Sequence, residues 1–109
     1  MTMLARTIGL DRNLLNEIVR IIIREKKVKK IILFGSWATK QAKKNSDIDL
    51  AIVGQDLSAT DISLIRDQLE ENVKTPLKFD AVHFDSLNKK NLKDDILSEG
   101  ITLYESKTN

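Results

Sequence analysis

From about Asp11 to Lys26, the apolar residues Leu14, Ile18 and Ile22 recur every four positions, and Leu15, Val19 and Ile23 widen the stripe. This spacing predicts an amphipathic helix with a broad buried face, and its basic last turn suits the negative end of the helix dipole. The run Ile31–Phe34, halted by Gly35, predicts a strand, being too short and too rich in β-branched residues for a buried helix. Residues 36–46 are polar and basic, with room for one helical turn starting at Ser36. The stretch DIDLAIV then alternates until Gly54 stops it. Ser58 and Asp61 form a capping box for a helix to about Val73, with Ile62, Ile65, Leu69 and Val73 on one face. Pro76 introduces a third strand, LKFDAVHF. A last helix from about Lys89 to Glu99 ends at Gly100 as C-cap and leads into the short strand ITLY. The order α-β-(turn)-β-α-β-α-β predicts one mixed sheet with helices packed on it.

Composition narrows the picture. A chain of 109 residues has room for one domain, and 41% hydrophobic residues allow a modest core. Absence of Cys excludes a disulfide scaffold, a Cys-ligated zinc site and a thiol nucleophile. A single His, His83, argues against Ser-His-Asp and His-rich metal constellations, and no role is assigned to it. The N-terminus MTMLARTIGLDRN lacks an apolar leader, and no stretch nears the roughly 18–20 apolar residues of a membrane span, so the expectation is a cytoplasmic protein. Net charge is +2 from 18 basic and 16 acidic residues, too balanced to imply nucleic-acid binding by itself. The basic residues do cluster, at Arg24, Lys26, Lys27, Lys29 and Lys30 and again at Lys40, Lys43 and Lys44. A solvated surface is the ordinary reading of such clusters.

Three features can carry chemistry. Gly35-Ser36 ends a predicted strand, where a glycine lets the backbone approach a ligand and the amides of the following turn can face an anion. The plain alternative is a strand-end turn with a capping serine. Asp47 and Asp49, two apart in a strand, project to one side with Cβ atoms roughly 6–7 Å apart, and their repulsion is relieved by a hard divalent cation. Asp80 interrupts the apolar strand LKFDAVHF, where a carboxylate costs free energy unless it is paired, metal-bound or facing water at a sheet edge. If that strand lies beside DIDLAIV, Asp80 completes a three-carboxylate cluster.

The combination of Gly35-Ser36, ten intervening residues, Asp47-x-Asp49 and a later in-strand Asp resembles the nucleotidyltransferase superfamily typified by DNA polymerase beta. It is most similar to the minimal nucleotidyltransferases of bacteria and archaea. The stretch LFGSWATKQAKKNSDIDLAIVG, then LKFDAVHF and ILSEGITLYE, carries the likeness over nearly the whole chain. The resemblance implies an α/β (α+β) nucleotidyltransferase fold, a small mixed β-sheet flanked by helices in the order α-β-β-α-β-α-β, as a single domain over 1–109. It implies that Gly35 and Ser36 grip the β and γ phosphates of a nucleoside triphosphate, with ATP expected. Asp47 and Asp49 would hold Mg2+, and Asp80 would join a second Mg2+ and help deprotonate an attacking hydroxyl. Such chemistry is mainly positioning and charge neutralisation of an in-line displacement. Family members most often have Arg at the position of Trp37 and Gly at that of Lys40. Trp37 can stack on a ligand or pack as an anchor under the loop; Lys40, Lys43 and Lys44 can contact the triphosphate as point charges or remain solvated.

The chain has no room for a second, acceptor-binding domain, so the acceptor must be presented by another molecule or a second copy, as a homodimer or a hetero-oligomer. The resemblance implies a partner: a small all-helical HEPN-domain toxin that the nucleotidyltransferase, as antitoxin, modifies with AMP. The apolar residues of helix 11–26 and the C-terminal segment are the expected contact surfaces. Two other classes compete: a non-catalytic nucleotidyltransferase-like module that neutralises a partner by contact, and a small nucleic-acid-binding protein resting on the Lys clusters alone. No membrane partner is expected.

Overall fold

The computed structural model describes residues 9–107, so the reading of the first eight residues as part of a leaderless N-terminus lies outside the described residues. Among the described residues, three helices, α1 (Arg12–Ile22), α2 (Ala59–Asn72) and α3 (Lys90–Glu99), accompany four strands, β1 (Lys30–Phe34), β2 (Ile48–Val53), β3 (Phe79–His83) and β4 (Ile101–Glu105). Short 3-10 turns at Gly35–Trp37 and Phe84–Ser86 follow β1 and β3. The sheet order is β3-β2-β1-β4; β1 runs antiparallel to both neighbours, and β2 and β3 are parallel. This is the mixed sheet that the pattern predicts.

Helices cover both faces of the sheet, which is why consecutive residues are buried at 31–33 of β1 and 50–52 of β2. Ile31 and Leu33 of β1, with Ile48, Leu50 and Ile52 of β2, pack beneath Leu15, Ile18 and Ile22 of α1 and Ile62, Ile65 and Leu69 of α2. Ile32 and Ala51, on the other face, meet Ile96 of α3, with Phe34, Val82 and Leu92 around them. The register sets Phe34 opposite Asp49 and Asp49 opposite Asp80. Those two aspartates therefore occupy the α3 face, at the end of the sheet where β1 finishes and β2 and β3 begin.

The ends of the elements follow their local chemistry. Asp11 caps α1 by accepting from the Asn13 amide, and Ser58 and Asp61 form the expected reciprocal capping box on α2. α1 stops at Ile22, four residues short of Lys26, because the amides of Arg24 and Glu25 bond three residues back and turn the chain toward β1. Its apolar stripe is spent on the core, leaving Ile23 as its exposed apolar residue. The broad contact surface expected of helix 11–26 is thus mostly internal. Gly100 closes α3 with an ordinary extended backbone, not a left-handed one; a side chain there would strike the Ile96 carbonyl and the Ile32 side chain.

Candidate active site

Gly35 adopts φ 76°, in the left-handed region. A Cβ at this position would also land on the Asp49 carboxylate. Backbone direction and close approach together require glycine. The Gly35 carbonyl then accepts from the amides of Ala38 and Thr39, the Thr39 hydroxyl adds a third bond at 3.3 Å, and the Gln41 amide donates to the Ser36 carbonyl at 2.9 Å. The turn is held by its own backbone, which leaves the Ser36 hydroxyl without a protein partner among the described residues.

Trp37 anchors this loop. Its ring packs against the core, and Nε1–H donates to the Ser46 carbonyl at 3.0 Å, one residue before Asp47. The indole thus ties the turn after β1 to the segment that delivers Asp47 and Asp49. Lys43 and Ser46 close a further turn, through the Lys43 amide to Ser46 Oγ at 2.8 Å and the Ser46 amide to the Lys43 carbonyl at 3.0 Å. Lys40, Lys43 and Lys44 are exposed.

Asp47 is exposed and sits one residue before β2, not within it; Asp49 is half-buried in β2, and Asp80 is exposed on the edge strand β3. Asp80 faces water at a sheet edge and lies level with Asp49. Among the described residues no cation pairs with any of the three. Burial, and then the charges of Asp80 and Asp47, push the Asp49 carboxyl up to about 6. A set of mutually repelling oxygen donors with no protein cation suits a hard divalent ion such as Mg2+, which keeps waters and takes only one or two carboxylates from the protein. Among the described residues no three acidic or imidazole side chains converge on one point as they stand.

Sequence comparison with protein families matches the chain to "Polymerase beta, Nucleotidyltransferase" over residues 16–109. The chain belongs to the polymerase beta nucleotidyltransferase family. Its fold is shared by solved structures at low identity. One is a toxin–antitoxin with AMP-PNP, 24% identical with TM-score 0.73, covering 85% of this chain and 74% of the other. A second is the toxin–antitoxin MntA–HepT, 22% identical with TM-score 0.69, covering 88% and 74%. A third is a variant of that complex bearing two Asp-to-Glu changes two positions apart, 22% identical with TM-score 0.70, covering 85% and 74%. No curated protein matches in sequence.

For this nucleotidyltransferase domain, Gly35, Ser36, Asp47, Asp49 and Asp80 all lie at one end of the sheet. His83 lies at the other end, level with Ile52, where its Nε2 bonds the Gly54 carbonyl at 2.7 Å and its Nδ1 bonds Ser86 Oγ at 2.6 Å. It fastens the turn after β2 to the turn after β3. A cleft of about 390 Å³ opens at Gly35 and Ser36, and Asp95 and Glu99 of α3, to which sequence reasoning assigns no role, also line it. Both carboxylates are exposed residues on a helix, where sequence gives a solvated face as the ordinary reading.

Proposed function

We propose that this chain is a Mg2+-dependent nucleotidyltransferase that moves a nucleoside monophosphate, AMP from ATP, onto a hydroxyl of a partner protein, acting as the antitoxin of a HEPN-type toxin. The observation that carries the reading is the seating of Gly35 directly against the Asp49 carboxylate, with Asp80 in register beside it. This seating supports a phosphate-binding role for the turn beside metal-holding carboxylates. Solved toxin–antitoxin complexes of the same fold, one of them with AMP-PNP, support the nucleotide and the kind of partner.

In this reading the Gly35 backbone and the Ser36 hydroxyl bind the β and γ phosphates. Asp47 and Asp49 would hold one Mg2+ and Asp80 would join a second; bound there, the metal would neutralise the triphosphate and polarise the α-phosphate. Asp80, the most open of the strand carboxylates, takes the proton of the acceptor hydroxyl. The acceptor oxygen bonds to the α-phosphorus, the bond to the β-phosphate oxygen breaks in line, and pyrophosphate leaves. The residues serve position and charge; none becomes a covalent nucleophile.

Thermal unfolding with Mg2+ and each nucleoside triphosphate tests this without knowledge of the acceptor. Ligand at 100 times its Kd adds about 2.7 kcal/mol, and each kcal/mol moves the Tm of a domain this size by roughly 4–8 °C. We expect a rise that needs both metal and ATP and disappears in Asp47→Asn. No rise in the chain alone or with its partner would overturn the reading. A second reading, a silent module that neutralises its partner by contact, rests on Trp37 and Lys40 standing where the family most often has Arg and Gly. It predicts that Asp47→Asn still protects cells expressing the toxin, whereas the enzymatic reading predicts loss of protection.

A further inference from the structure

The cleft between the 35–41 turn and α3 has a composition that the triphosphate does not explain. Its floor is apolar, from Phe34, Leu92 and the buried Ile96, and its rim is Gln41, Asp95 and Glu99. None of its lining residues is basic. Two carboxylates with no cation in an ion pair with them among the described residues repel phosphate, so this space disfavours the charged part of a nucleotide. Its other wall is nevertheless Gly35 and Ser36, the turn assigned above to phosphate binding. A volume of about 390 Å³ lies within the range of small-ligand pockets.

We propose that this cleft is the nucleoside subsite, and that Asp95 and Glu99 make it select a ribonucleoside bearing an exocyclic amine, adenosine above uridine. The inference rests on the nucleotidyltransferase reading and deepens it. A neutral base can lie on Phe34, Leu92 and Ile96 while its phosphates reach Ser36. Ionised carboxylates only accept hydrogen bonds, so the rim favours groups that donate: ribose hydroxyls and the amino group of adenine. The carbonyl that uracil carries at the equivalent position would face those carboxylates acceptor to acceptor. Charge-assisted hydrogen bonds are stronger than neutral ones, which makes them effective discriminators.

The test is calorimetric titration, in saturating Mg2+, of ATP, UTP and inorganic tripolyphosphate against the unaltered chain and the double variant Asp95→Ala, Glu99→Ala. Both positions are exposed on a helix, where alanine is well tolerated. We expect the unaltered chain to bind ATP about tenfold more tightly than UTP. In the variant that preference should vanish, with tripolyphosphate binding unchanged. If the variant keeps full ATP affinity and preference, the subsite lies elsewhere and the phosphate site stands. If ATP and tripolyphosphate both bind the variant more tightly, the carboxylates face the phosphates or a cationic side chain of a partner, and the proposal falls. If neither ligand binds the unaltered chain, the phosphate site itself is wrong and this proposal falls with it.

Discussion

Lys40 holds φ 63°, the non-glycine residue with positive φ among the described residues. In that region a side chain crowds its own carbonyl at a cost of roughly 1–2 kcal/mol. The family preference for glycine at this position therefore has a conformational reason, and the departure places a strained lysine on the loop. Lys40→Gly relieves the strain but enlarges the freedom of the unfolded chain by about 0.4–1 kcal/mol, so we expect a net gain of about 0.5 kcal/mol. Urea unfolding measures it as a higher midpoint at unchanged slope; an unchanged or lower midpoint would show that the lysine side chain offsets its own strain. The residue type was visible in the sequence. Its backbone angle was not, because nothing local demands a left-handed turn at a lysine.

At the scale of elements, the loop between β1 and β2 determines whether the two halves of the site face each other. Trp37 does this through its bond to the Ser46 carbonyl and its packing on the core. Trp37→Phe keeps an aromatic ring but leaves that carbonyl without its donor, which should cost about 1 kcal/mol. If the indole is the pin described, hydrogen exchange of the 38–46 amides will also rise in the variant. Protection unchanged there would mean that the turns at 35–41 and 43–46 hold the loop unaided. Of the two sequence readings of Trp37, stacking on ligand or anchoring the loop, the hydrogen bond and the packing on the core support the anchor. The choice depended on a contact nine residues away, which the tryptophan alone does not encode. The capping box at Ser58, by contrast, was fully legible, since both partners lie within one turn.

For the whole molecule, the acidic end of the sheet sets how stability depends on pH. Asp49 is held up to about 6 against an ordinary value of 3.8, by burial first and by Asp80 and Asp47 next. Between about pH 4 and 6 the folded protein then holds this proton and the unfolded chain does not. Its contribution to stability is accordingly present at low pH and lost as pH rises through 6. The full displacement corresponds to about 3 kcal/mol; because the carboxyl is only half-buried, water screens it, and we expect about 1 kcal/mol. In EDTA, Asp49→Asn should therefore be about 1 kcal/mol more stable than the unaltered chain at pH 7.5 and no more stable at pH 4.5. A variant less stable at pH 7.5 would mean that the carboxylate has a favourable partner in the fold. Such a destabilised carboxylate at neutral pH is the usual exchange of stability for function.

The local order of helices and strands, the capping of α2, and the five residues Gly35, Ser36, Asp47, Asp49 and Asp80 proposed for the site were readable in the sequence. Each depends on periodicity, on a cap within one turn, or on residue types at short spacing. Tertiary structure decided what those patterns could not reach. Strand register placed Asp80 level with Asp49 across thirty intervening residues. Close packing turned Gly35 from a flexible strand end into a position where a side chain would meet a carboxylate. Folding α3 back along the sheet brought Asp95 and Glu99 to the rim of a cleft beside Ser36. Short-range pattern fixes local conformation because neighbours along the chain share a helix turn or a strand. Proximity between distant segments follows from how faces pack, and only the folded molecule contains that.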